Sequence, residues 1–171
     1  MRSLLAAALL LAPGSAWAAS GDIGCIETKL GADAMQRIGR NIVAAADSGK
    51  DFGSALDTDR DALLAARQQC RVANNWSPTA VQAAVSYFQG RATKLGADAA
   101  LKADGLDAAK LSASYAALPV PDRKSLIAQA SPGALAAVRT AGANPRVRRH
   151  AMLYFAALAA IEFYPAEFSA A

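Results

Sequence analysis

Residues 151–161 read AMLYFAALAAI, and apart from the hydroxyl of Tyr154 this stretch carries no polar side chain. A helix that is apolar all round is normally the one on which others pack, so the segment marks the centre of a helical bundle. The uncharged run is too short to span a bilayer, which takes about 20 residues. Just upstream, Asn144-Pro145 supplies a capping side chain followed by proline at the first helical position. The spacing predicts a helix from there to about Phe163.

The same grammar recurs along the chain. Ser77-Pro78 opens a helix whose buried stripe is Val81, Val85 and Phe88. From about Asp22 to Asp47, Met35, Ile38, Ile42 and Ala45 share one face, and Ser48-Gly49 suits a left-handed C-cap. Asp57-Thr58-Asp59-Arg60-Asp61 places acids against the positive end of a following helix, on which Leu63, Ala66, Cys70 and Ala73 share a face. Shorter helices are expected at about 106–118, 121–130 and 132–140, separated by Pro119, Pro121 and Ser131-Pro132. Alanine dominates, β-branched residues are scarce and no four-residue stretch alternates as a strand would. The expectation is an all-α, compact single-domain bundle of about six or seven helices.

The two ends of the chain bear on its destination. Arg2, the apolar run Leu4–Ala12, the breaker Pro13-Gly14 and the small-x-small triplet Ala16-Trp17-Ala18 read as a secretory signal over 1–18, with a soluble domain over 19–171. The formal charge of +4 becomes +3 without Arg2, an excess too small to argue for nucleic acid. Two cysteines in an exported chain most simply form one disulfide, Cys25–Cys70. A periplasmic or secreted location and no transmembrane segment follow as expectations.

TKLGADA occurs at 28–34 and again, letter for letter, at 93–99. Asp59-Arg60-x-x-Leu63-x-Ala65 is matched by Asp122-Arg123-x-x-Leu126-x-Ala128, and Pro78, Ala84, Tyr87 and Phe88 by Pro145, Ala151, Tyr154 and Phe155. These collinear matches suggest two three-helix halves, 25–90 and 91–163, sharing one core about a pseudo-twofold axis. Shared helix-building habits in an alanine-rich chain are the competing explanation.

The chemistry on offer is sparse. Asp33 and Asp98, the matched acids, would bind a cation or share a proton if the halves brought them together; otherwise Lys-Leu-Gly marks a helix end or a close-packing spot. Asp57, Asp59 and Asp61 begin like a calcium loop, but Ala62 replaces the glycine and Gln68 the glutamate such a loop needs. His150 is the only imidazole, and zinc, thiol-redox, haem and nucleotide signatures all lack their minimum parts. No metal and no cofactor is expected.

Arg146, Arg148, Arg149 and His150, with Arg139 nearby, form the densest basic cluster, and the first four stand at a helix N-terminus whose dipole they oppose. An acidic partner, an anionic surface or acids on neighbouring helices would compensate. Tyr87, Phe88, Tyr154 and Phe155 either line an apolar pocket or belong to the core. These features point to a non-enzymatic binding or inhibitory module acting on another protein of the cell envelope. A carrier of a small apolar ligand in an aromatic-lined cavity is the second reading, and a carboxylate-based hydrolase the third.

Overall fold

A computed structural model describes residue 19, residues 21–141 and residues 144–171; the leader expected at 1–18 lies outside the described residues. Among the described residues the chain is all-α, with no strand, eight α-helices and one 3₁₀ segment. The helices are α1 (Cys25–Leu30), α2 (Ala32–Asp47), α3 (Arg60–Ala73), α4 (Pro78–Ala103), α5 (Ala108–Ala116), α6 (Val120–Ser125), α7 (Pro132–Ala141) and α8 (Pro145–Ser169). The 3₁₀ segment, Gly53–Asp59, precedes α3.

α4 and α8 form the axis of the fold. Both begin with a capping side chain and a proline: Ser77 Oγ accepts from the Ala80 amide at 3.0 Å, and Asn144 Oδ1 from the Arg146 amide at 2.9 Å. They run antiparallel. At their middle, a Cβ added to Gly90 would lie 2.6 Å from the Ala160 Cβ, so only a glycine lets the two backbones approach this closely. α2 lies parallel to α4 and meets it backbone to backbone, the Gly39 carbonyl facing Gly96.

The buried side chains form two adjoining clusters rather than one shared core. The first gathers Ile26, Ile38, Ile42, Trp76, Phe88 and Phe168, the second Leu101, Leu111, Val138, Tyr154 and Phe155. The long helices α4 and α8 contribute to both. The Cys25–Cys70 disulfide ties α1 to α3 with a Cα–Cα distance of 6.0 Å. Closing a loop of 45 residues stabilises a fold by about 4 kcal/mol in the chain-entropy account.

Several boundaries differ from the sequence expectation, each for a local reason. Gly31, at φ +80°, splits the first expected helix into α1 and α2. The aspartate run at 57–61 straddles the 3₁₀ segment and the start of α3 instead of opening a helix outright. α8 continues beyond Phe163, through Pro165, to Ser169. Pro165 removes one intrahelical donor, but the extra turn delivers Phe168 to Trp76, edge to face at 5.2 Å between centroids. By length and composition alone α8 would reach across a bilayer; in this fold it packs along α4 and buries His150, Ala151, Tyr154, Phe155 and Phe168.

The two copies of TKLGADA take different conformations. In the first, Gly31 ends a helix; in the second, Gly96 lies inside α4 as the contact point for α2. A division of the chain at residue 90 would cut α4 in two.

Helix propensity alone says that Gly96→Ala stabilises by about 0.5–1 kcal/mol. The close approach to Gly39 reverses the sign: the added methyl runs into backbone, and a loss of about 1–3 kcal/mol is expected. Urea unfolding of Gly96→Ala decides between them, a raised midpoint showing that α2 and α4 do not touch as described.

Candidate functional site

The N-terminal end of α8 meets the C-terminal ends of α2 and α4. His150, with no exposed surface, places Nδ1 2.7 Å from Asp104 Oδ2 and Nε2 3.1 Å from Asp47 Oδ1. Carboxylates only accept, so a ring bearing hydrogen on both nitrogens satisfies both contacts. Arg149 Nη1 reaches Asp47 Oδ1 at 3.1 Å and the Asp47 backbone carbonyl at 3.3 Å, and Arg146 Nε lies 3.6 Å from Asp47 Oδ2.

Asp47 is the last residue of α2 and Asp104 the C-cap of α4. Each acid opposes its own helix dipole, as the basic residues oppose that of α8. Brought together, each offsets the other. The compensation for the basic cluster is therefore intramolecular at Arg146, Arg149 and His150. Arg139 and Arg148 make no ion pair among the described residues.

Beside this knot runs an apolar trough, floored by the side of α8 that α4 leaves uncovered. Its first section, about 290 Å³, lies between α4 and residues 126–127, with Gly90, Leu153, Ala156 and Ala160 on its floor and Phe52 and Tyr164 at its far end. The second, about 260 Å³, continues under 126–130 past Ala156 to Met152 and Arg149. The third, about 490 Å³, lies between α7 and α8 and is bordered by Arg139, Arg148 and Arg149. Successive sections share lining residues, Leu153 and Ala156 first, then Met152 and Arg149. The lining carries three charged side chains, all arginines and all at one end.

The remaining candidates lie elsewhere. Phe88, Tyr154 and Phe155 are core residues, 2% exposed or less. Tyr154 keeps its hydroxyl satisfied by Ser112 Oγ at 2.7 Å. Tyr87 borders a separate concavity of about 620 Å³ next to the first TKLGADA, where Glu27 and Arg91 pair through two contacts of 3.0 and 3.1 Å. Asp98 binds Lys94 at 2.6 Å and Asp33 lies near Arg37; no contact joins the two acids among the described residues. Asp57 and Asp59 are taken by Arg60 and Arg37. No cluster of three metal-ligating side chains occurs among the described residues.

One further polar group joins α5, α6 and α8. The Tyr115 hydroxyl donates to Glu162 Oε2 at 2.6 Å, and Arg123 pairs with Glu162 at 3.3 Å while its guanidinium lies over the Tyr115 ring. Burial, then the hydrogen bond to Glu162, push the Tyr115 phenol above the usual tyrosine range.

Sequence reasoning pointed to the arginines and missed the trough. Its floor consists of small and flexible residues on α8, and the only signal was the absence of polar residues all round that helix. No family model, no curated protein and no solved structure matches this chain.

By the helix dipole alone, removing Asp104 from the end of α4 would stabilise by a few tenths of a kcal/mol. Asp104→Ala instead leaves a buried His150 nitrogen unpartnered, and a loss of about 1–3 kcal/mol is expected, smaller for Asp104→Asn, which keeps an acceptor. Denaturant midpoints measure both; a stabilised Asp104→Ala variant would show that the knot contributes nothing.

Proposed function

We propose that the chain is an exported, non-enzymatic binding module that holds its ligand in the trough along α8. The observation that carries this reading is the trough itself. Three shallow, mostly apolar concavities follow one another along α8, with their three charges gathered toward one end, as befits a site that binds and orients a ligand. The supply of catalytic groups argues the same way. The single imidazole is fully buried with both nitrogens engaged, which removes it as the base for an exposed hydroxyl nucleophile. Export to the periplasm or beyond is supported by the N-terminal charge–apolar–small pattern and by the disulfide.

The trough also revises where a carrier would hold its cargo. The aromatic pairs are occupied as core, so a ligand would lie against Leu153, Ala156 and Met152, flanked by Phe52 and Tyr164. A protein partner is the weaker alternative. The large apolar side chains that protrude, Phe52, Leu64, Val72, Leu95, Val120 and Leu135, are spread over separate elements and do not form one patch.

Ala156 is half-buried and lines both of the first two sections, so Ala156→Trp fills space in each. Titration with an environment-sensitive apolar dye is expected to show one saturable site on the folded wild type. At least tenfold weaker binding is expected for Ala156→Trp at an unchanged melting temperature. No saturable site, or equal affinity in the variant, would overturn the proposal.

A further inference from the structure

We infer that the trough's ligand is a single-chain amphiphile with an anionic headgroup, bound with its head at Arg139 and Arg148 and its tail toward Phe52 and Tyr164. This rests on the trough being the binding site and adds the chemistry of what fills it.

Charge complementarity sets the headgroup. The lining contains no acidic side chain, and its only charges lie where the third section opens between α7 and α8. The carboxylates in contact with the basic cluster, Asp47 and Asp104, face His150, Arg146 and Arg149, not Arg139 or Arg148. Two guanidiniums are thus left with no acidic partner among the described residues. They flank Leu135 and Val138, so an anion bound there carries its apolar part directly onto hydrocarbon.

Shape sets the tail. From Arg148 to Tyr164 the α8 floor extends about 24 Å at 1.5 Å per residue, a length suited to one long acyl chain. In between, the floor is alanine, leucine and methionine, and the polar side chains of the lining, Ser86, Gln89, Thr93 and Gln129, are neutral. The third section, about 490 Å³, is the size of a small-molecule site, and the other two, about 290 and 260 Å³, fall just below that range. A stable protein contact needs about 800 Å² from each partner, and of the large apolar side chains in the lining only Phe52 and Leu135 protrude to make one.

Calorimetry and native mass spectrometry on the mature protein test this with palmitate, hexadecanol and hexadecyltrimethylammonium, each kept below its micelle-forming concentration. Palmitate is expected to bind one to one, at least tenfold tighter than the trimethylammonium compound, and more weakly as salt rises. Arg148→Gln and Arg139→Gln, which remove charge from side chains without an ion-pair partner among the described residues, are each expected to weaken palmitate severalfold and to weaken it more than the uncharged dye. Equal affinity for the cationic amphiphile, or palmitate binding indifferent to both substitutions, would overturn the inference while saturable dye binding upheld the site. Binding seen only with vesicles of anionic lipid would also overturn it, because a surface and not a single chain would then be the ligand. Loss of dye binding altogether would reject the site itself.

Discussion

The antiparallel contact of α4 and α8 at Gly90 is the constraint on which the rest depends. With no side chain at residue 90, the α4 backbone comes within reach of Ala157 and Ala160, and the two longest helices run together as one axis. One end of that axis is closed by Trp76 on Phe168, the other by His150 between Asp47 and Asp104. Each of the two buried clusters is packed against a different stretch of the same pair. The trough exists because α8 is apolar on every side from Ala151 to Ile161 while α4 covers only some of those sides.

The polar knot illustrates how tertiary structure overrides local preference. Asp47 and Asp104 stand at helix C-termini, and Arg146, Arg149 and His150 in the opening turns of a helix; every one opposes its own dipole. Taken helix by helix these are errors, but the fold brings two negative helix ends and their acids against one positive end and its bases. A conflict between local rule and global fold marks a place where the global fold supplies the missing partner. Arg148, also in the opening turn of α8, shows the same conflict without an acidic partner among the described residues, whereas Arg139 stands in the last turn of α7, where its charge suits the helix dipole.

Much of the scaffold was legible in the sequence because it is written in local chemistry. Ser77-Pro78 and Asn144-Pro145 start the two axial helices, Gly49 caps α2 at φ +69°, and the stripe Met35, Ile38, Ile42 and Ala45 is buried. The Cys25–Cys70 pairing followed from there being only two cysteines. What could not be read is what identical letters do in different surroundings: Gly31 and Gly96 sit in the same heptamer, yet one breaks a helix and the other admits a neighbouring backbone. The site was the least legible part. An apolar-all-round helix reveals that it has neighbours, not which of its sides they leave open. A run of bases likewise conceals that His150 is buried while Arg148, two residues earlier, is not.

If α4 and α8 form one axis that carries both clusters, the molecule opens as a single cooperative unit despite having two buried centres. Residue-resolved hydrogen–deuterium exchange reads this directly. Amides at 84–101 of α4 and 151–160 of α8 should be the slowest in the protein and should exchange together, at the free energy of global unfolding. Faster release of α8 while α4 stays protected, or separate opening of the second cluster with the first intact, would contradict the shared axis and with it the pinned floor of the trough.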